Sequence, residues 1–297
     1  MSVREVGPRD GLQNEDPVPT DAKVALIEAL SGTGVQRIEA VSFVRPSAIP
    51  QMGDADEVWQ RVAKKPSVRY SALAPNLRGA LRALDAGFTE LEAVVSASET
   101  HNRTNVNRST GQSLDEIAEM IARAHERGAT VQVIVSTAWG CPYEGDVPTE
   151  RTLWVAGRAL ADGADSVSFG DTTGMATPTR VRDLVGALRS AHPGAGLNLH
   201  FHNTRGTGLA NVLAALELGV ADFDAAVGGL GGCPYAPGAT GNIATEELVY
   251  MAEDMGVATG IDTDAMIAVA GQAERLIGRT LPSQVLRAGP RTRTIPA

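Results

Sequence analysis

A helix, a glycine and a short β-rich run recur along this chain, and that unit restricts the fold more than any other feature of the sequence. It appears at Leu30–Gly34 before Arg37–Phe43, at Asp85–Gly87 before Leu91–Val95, and at Arg127–Gly128 before Thr130–Val135. It returns at Asp162–Gly163 before Asp165–Phe169 and at Leu218–Gly219 before Asp222–Val227. Glycine behind a helix takes the left-handed conformation that turns the chain. The run after it has the length and β-branched content of a parallel strand buried on both faces. Three further strand candidates, Val3–Val6, Val68–Leu73 and Leu197–His202, fill the gaps. Helix starts are signalled too. Ser113-Leu-Asp-Glu116 reads as a capping box, and Thr177-Pro178 as a cap followed by proline in the first turn. Eight strands alternating with helices in 297 residues predict an α/β fold closed as a (β/α)8 TIM barrel. An open doubly wound sheet is the alternative, but no G-x-G-x-x-G turn follows the first strand. No linker divides the chain. Residues 1–297 are expected to form one domain, with about residues 261–297 as a helical tail built on Thr263–Ile277.

The net charge of −9 argues against nucleic acid or an anionic membrane surface as partner. An anionic substrate would then need a local cluster of positive charge or a metal ion. Two cysteines, Cys141 and Cys233, make no disulfide framework, which predicts a reducing, cytoplasmic setting. No stretch reaches the length of a membrane span, and the strand pattern starting at Val3 leaves no room for a signal peptide.

Barrel chemistry sits at the C-terminal ends of the strands, and the polar residues collect there. Arg9 and Asp10 follow the first strand and Glu39 lies in the second. Ser98, Glu99 and His101 follow the fourth, Cys141 the fifth, and Asp171 ends the sixth. His200 and His202 end the seventh, and Cys233 and Asn242 follow the eighth. The two histidines are two apart, so both face one side of their strand, opposite Leu199 and Phe201, and point at the barrel axis. A hydrogen-bonded buried pair is the bland alternative. With Asp10 and Asn242 able to converge, the set suits Mg2+ or Mn2+ better than a closed zinc site, Zn2+ and Co2+ remaining open. Arg9 is the natural partner for Glu39, whose carboxylate would otherwise be costly inside a barrel. Asp171 could cap the turn Thr172-Thr173-Gly174, and Asn242 the helix behind it. Residues Gly228–Asn242 hold six glycines and two prolines around Cys233, a loop whose backbone can approach a ligand.

These residues resemble a known family. Glu5-Val-Gly-Pro-Arg-Asp-Gly-Leu-Gln-Asn-Glu15, Ser42-Phe-Val, Gln51-Met-Gly-Asp54, Gly140-Cys-Pro-Tyr-Glu-Gly145, Gly170-Asp-Thr172, His200-Phe-His202 and the Cys233 loop all look like 3-hydroxy-3-methylglutaryl-CoA lyase. The resemblance covers nearly the whole chain. It implies a divalent-metal carbon–carbon lyase in which Asp10, His200, His202 and Asn242 match the family's metal ligands. It further implies an acyl-CoA thioester substrate and a homodimer. Arg9 matches the enolate-stabilising arginine, Cys233 the catalytic cysteine, and Glu39, Asp171 and Gln13 supporting positions. A base, His200 or Asp10, would take the hydroxyl proton, the C2–C3 bond would break, and Cys233 would protonate the enolate. Two sites depart from the family's pattern. Asn203-Thr-Arg205-Gly stands where Asp-Thr-Tyr-Gly is common, and Thr104 where a lysine is common. Both are expected to border the acyl and CoA pocket, which leaves another 3-hydroxy-3-alkylglutaryl- or citramalyl-type thioester as the alternative substrate. Asn105, Arg108, Arg205 and Thr172 are the candidate substrate or CoA contacts. Asn102 and Arg103 complete a polar, basic loop that could meet CoA phosphates, or be only a solvated loop. A barrel that binds metal and acyl-CoA without catalysis is the remaining alternative.

Overall fold

All five glycines expected to close a helix have positive φ: Gly34 91°, Gly87 90°, Gly128 70°, Gly163 99° and Gly219 75°. At Gly34 the packing demands glycine as well, because a Cβ would stand 2.3 Å from the Gly260 carbonyl oxygen. The structure, a computed structural model, describes residues 1–232 and 240–294.

The strands are β1 (Ser2–Glu5), β2 (Arg37–Ser42), β3 (Arg69–Leu73), β4 (Glu90–Ser96), β5 (Thr130–Ser136), β6 (Gly140–Cys141), β7 (Gly145–Asp146), β8 (Ser166–Asp171), β9 (Leu197–Phe201) and β10 (Asp222–Ala225). Eight of them close a barrel in the order β1-β10-β9-β8-β5-β4-β3-β2, and every pairing is parallel. The expected (β/α)8 fold is therefore the observed one. β6 and β7 form a two-residue antiparallel hairpin after β5. The helices are α1 (Thr20–Ser31), α2 (Ala55–Arg61), α3 (Leu77–Asp85), α4 (Glu99–Val106), α5 (Thr110–His125), α6 (Thr149–Ala161), α7 (Pro178–Ala191), α8 (Gly208–Glu217), α9 (Thr245–Asp254), α10 (Thr263–Ile277) and α11 (Gln284–Ala288). α10 packs beside α1 and α9, and α11 beside α9.

Outward strand residues such as Leu91, Val133, Phe169, Leu199 and Phe223 are fully buried between sheet and helices. That apolar layer is the main source of stability, at about 25 cal/mol for each Å² of apolar surface removed from water. The barrel interior is different. Arg4, Glu39, Glu92, Asn198 and Asp224 face one another there, all nearly inaccessible.

One helix start is corrected. Ser113 does not begin a helix; it lies inside α5, and its hydroxyl accepts from Asn102 Nδ2 at 2.8 Å. The capping box is Ser109 with Gln112, one turn earlier. The Ser-x-x-Glu spacing recurs on a helical face without capping anything. Thr177 does precede Pro178 at the start of α7, but its side chain makes no capping bond.

Candidate active site

The first site residues are placed by a local backbone device. After β1 the chain makes a single π-helical turn over Gly7–Gly11, with Pro8 at its start. Such turns recur where a side chain must be re-aimed. The buried Glu5 carboxylate holds it, accepting from the Gly7 amide at 2.7 Å, the Val227 amide at 2.9 Å and the Thr245 hydroxyl at 2.6 Å. A Cβ on Gly7 would stand 2.6 Å from Glu5 Oε1, so the turn needs glycine there.

The turn delivers Arg9 and Asp10 to the rim. Arg9 Nη1 donates to Asp10 Oδ1 at 2.8 Å, and Nη2 lies 2.6 Å from Glu39 Oε2. Gln13 Nε2 donates to the same Asp10 oxygen at 2.8 Å. Two strands along the barrel, His200 and His202 point inward from β9 and its extension, with ring centroids 5.1 Å apart. Asn242 reaches them through an antiparallel bridge with His202. It does not cap the following helix, because α9 begins at Thr245 behind Ala244.

Asp10, His200 and His202 offer donor atoms that all lie within 4.8 Å of one another. Asn242 Nδ2 donates to Asp10 Oδ2 at 2.7 Å and to the Leu230 carbonyl at 3.0 Å. Its Oδ1 and His202 Nδ1 are buried and have no hydrogen-bond partner among the described residues. Orphaned buried acceptors are costly, and a divalent cation would satisfy them. One carboxylate, two imidazoles and an amide oxygen make a donor set that fits Mg2+ or Mn2+.

The electrostatics of Asp10 and His202 agree with that fit. Burial alone would raise the Asp10 carboxyl, but Arg9, His200, His202 and the Asn242 bond together hold it below its usual range. Burial and the neighbouring His200 push His202 down to about 3, so its ring is neutral, as a ligand must be. Burial pushes His200 down too, yet the Asp224 bond and the charge of Asp10 outweigh it and the ring ends raised. Burial drives Glu39 well up; Arg9 pulls it back and Glu92 pushes it further. Burial also pushes Asp171 up to about 6, against bonds from the Met175 and Ala176 amides to Oδ1 at 2.7 and 3.0 Å. Asp171 thus caps its turn, as the sequence allows, and its buried Oδ2 has no partner among the described residues.

These groups open on a cavity of about 660 Å³ lined by Arg9, Asp10, Gln13, Ser136, Thr172 and His200, among others. An outer groove of about 720 Å³ adjoins it, and Val44, Ala48, Pro75, Asn105 and Val106 line both. Asn105 therefore stands at the junction, and Arg108 lines the groove while paired with Glu116. Several expected contacts are displaced. Arg205 does not line the cavity; its Nη1 is tied to the Thr173 and Gly174 carbonyls at 2.6 and 3.1 Å. Asn203 accepts from the Gly208 amide at 3.1 Å and lies outside the cavity as well. Asn102 is a buried scaffold residue, bonded to the Ser96 amide, the Arg108 carbonyl and Ser113. Arg103 is paired with Glu99. Cys141 is buried, its thiol donating to Ser98 Oγ at 2.9 Å. Cys233 lies outside the described residues, while neighbouring Gly232 lines the cavity. Sequence reasoning missed Arg4, Glu92, Asn198 and Asp224. Their signal was the alternation of polar and apolar residues in β1, β4, β9 and β10, a pattern that half-exposed strands share.

Comparison with known proteins places the chain in a family. Residues 1–272 match the sequence profile of the HMGL-like family. A hydroxymethylglutaryl-CoA lyase of Bacillus subtilis is 43% identical over 97% of this chain and 96% of its own. An (R)-citramalyl-CoA lyase of Chloroflexus aurantiacus is 42% identical over 98% of this chain and 95% of its own. The structure of an HMG-CoA lyase from Acinetobacter baumannii in complex with coenzyme A and 3-methylmalate superposes with a TM-score of 0.95. It is 45% identical and covers 100% of this chain and 97% of its own. The chain belongs to the HMGL-like family, the family of the 3-hydroxy-3-methylglutaryl-CoA lyases.

Proposed function

We propose that this protein is a divalent-metal-dependent lyase that cleaves 3-hydroxy-3-methylglutaryl-CoA to acetyl-CoA and acetoacetate. The observation that carries the reading is the convergence of Asp10, His200, His202, Asn242 and Arg9 at the mouth of one barrel. The four ligands would hold Mg2+ or Mn2+, which supplies orientation and charge stabilisation to the substrate oxygens. Asp10 and His200 both line the cavity, and one of them takes the proton from the C3 hydroxyl. The electron pair of that O–H bond becomes the ketone, the C2–C3 bond breaks, and its pair becomes the thioester enolate. Arg9 balances that negative charge from a site where it is shielded from water. Glu39 fixes the guanidinium, and Gln13 and Arg9 fix Asp10. Cys233 is our candidate for the acid that protonates the enolate at C2.

The CoA portion is assigned to the outer groove, with Asn105 and Thr172 as contacts nearer the acyl group. Arg45, Arg78, Arg82 and Arg108 line the groove, and no ion pair among the described residues involves Arg45 or Arg78. They are available to phosphates. Arg205 is withdrawn from this set because its guanidinium is tied to backbone carbonyls. The near-equal identity to a citramalyl-CoA lyase makes citramalyl-CoA the second substrate reading. A cytoplasmic homodimer completes the proposal. Among the described residues no helix is long and apolar enough to cross a membrane, and Cys141 is a free, buried thiol.

The test is a thioester panel assayed with Mg2+ or Mn2+. Acetoacetate released from 3-hydroxy-3-methylglutaryl-CoA at the highest kcat/KM supports the first reading. Preferential release of pyruvate from citramalyl-CoA supports the second and overturns the first.

A further inference from the structure

Behind His200 stands a carboxylate that the reaction itself does not use. Strands β1, β10 and β9 put Arg4, Asp224 and His200 side by side, because Arg4 is in register with Asp224 and Asp224 with His200. The Asp224 side chain is only 3% exposed. Arg4 closes a two-bond fork on it, Nε to Oδ1 at 2.8 Å and Nη2 to Oδ2 at 2.9 Å. Asn198 Nδ2 donates to Oδ1 at 3.0 Å. Glu92 holds Arg4 Nη1 and is itself bonded by Ser71 Oγ, so the fork cannot swing away. The remaining acceptor capacity of Oδ2 faces His200 Nδ1 at 3.2 Å.

We propose that Asp224, clamped by Arg4, is a positioning residue for His200: it accepts from Nδ1–H, fixes that tautomer, and leaves the Nε2 lone pair directed to the rim where Asp10 and His202 stand. The proposal rests on the metal reading of this site given above. An imidazole ligates through whichever nitrogen lacks a proton, and the bond made by the other nitrogen decides which one that is. Here every other partner of Asp224 is a donor, so the carboxylate can present only acceptors.

The isosteric variant Asp224→Asn inverts this logic. With its amide nitrogen in place of Oδ1 it would confront two donors, Arg4 Nε and Asn198 Nδ2. In place of Oδ2 it confronts one, Arg4 Nη2, and donates to His200 Nδ1. The second orientation leaves fewer opposed donors. It makes Nδ1 an acceptor, puts the proton on Nε2 and removes the ligating lone pair.

Two measurements test this. The first is a long-range 1H–15N correlation spectrum of the metal-free, 15N-histidine-labelled protein at alkaline pH, where imidazoles are neutral. The His200 signal is identified by its loss in His200→Gln. Wild type should show the Nδ1–H tautomer and Asp224→Asn the Nε2–H tautomer. The second is Mn2+ titration calorimetry, in which Asp224→Asn should bind about ten- to a hundredfold more weakly than wild type. Asn198→Ala, which leaves the Asp224–His200 bond in place, should bind within about threefold of wild type and so separates positioning from general damage to the interior. An Nε2–H tautomer in wild type overturns the proposal even if no variant folds. So does a folded Asp224→Asn with unchanged Mn2+ affinity. If wild type shows Nδ1–H but binds no Mn2+, the tautomer assignment stands and the metal reading is what fails.

Discussion

Replacing Arg9 with glutamine should slow turnover far more than it weakens substrate binding. The guanidinium is tied to Asp10 at 2.8 Å and to Glu39 at 2.6 Å, and its side chain is 8% exposed. Negative charge reaches the thioester oxygen only as the C2–C3 bond breaks. A full positive charge about 4 Å from it, at an effective dielectric near 20, is worth about 4 kcal/mol. Loss of a single oxyanion donor typically costs about 2.7–4 kcal/mol. Together the two routes give a fall of about a hundredfold to a thousandfold in kcat, at about 1.4 kcal/mol per decade. Because the ground-state thioester carries no such charge, KM should change by less than about threefold. The assay is steady-state acetoacetate release with saturating Mn2+. There is a stability signature as well. Burial leaves the Glu39 carboxyl well above its unfolded value, so the folded chain holds that proton more tightly. Stability contributed this way is present at low pH and is lost as pH rises through the folded pKa. Without Arg9 the folded pKa moves higher still, so the gap in Tm between wild type and variant should widen as pH rises past the wild-type folded value of Glu39. A variant that keeps kcat within about tenfold, or loses only KM, would refute the enolate role.

Three further outcomes are expected. Burial raises Glu5 from 4.5 to about 7, against its three hydrogen bonds, so ionising it in the folded chain costs about 3 kcal/mol by neutral pH. The stability held by the protonated carboxyl is thus lost as pH rises from about 4.5 through about 7. Thermal melts of Glu5→Gln should be flatter with pH than those of wild type, the amide donating to a Thr245 hydroxyl that can also accept; equal slopes would contradict this. A Cβ at Gly241 would stand 2.7 Å from the Gly231 carbonyl carbon and the Gly232 amide nitrogen. Gly241→Ala should therefore shift Asn242 and weaken Mn2+ binding, with a stability loss of about 1–3 kcal/mol, and unchanged calorimetry would contradict that. The double variant Arg45→Ser/Arg78→Ser should raise KM for the CoA thioester about tenfold or more and reduce its salt dependence, with kcat nearly unchanged. A normal KM would remove the outer groove from CoA binding.

The rim of the site was legible because strand-end positions follow from the period of the repeat. Once β9 is recognised, His200 and His202 must face the axis, and Arg9 and Asp10 must crown β1. The charged interior was not legible. Arg4, Glu92 and Asp224 lie in runs that read equally well as half-exposed strands, and only closure of the barrel turns them toward one another. Asn203 and Arg205 misled for a related reason. They adjoin His202 in sequence, but the turn after β9 carries them to the α7–α8 side, where Arg205 meets the Thr173 and Gly174 carbonyls. The Ser113 helix start failed because a capping pattern has no register of its own. Ser109-Thr-Gly-Gln112 satisfies the same rule one turn earlier, and there both reciprocal bonds form.

The central claim is that one divalent cation, held by Asp10, His200, His202 and Asn242, makes this barrel a lyase. It is tested most directly by stripping the protein with a chelator, titrating Mn2+ back and following acetoacetate release from 3-hydroxy-3-methylglutaryl-CoA. Activity absent from the stripped protein and restored in full at one Mn2+ per chain is the predicted result. Full cleavage by the stripped protein, or none at saturating Mn2+, would contradict it.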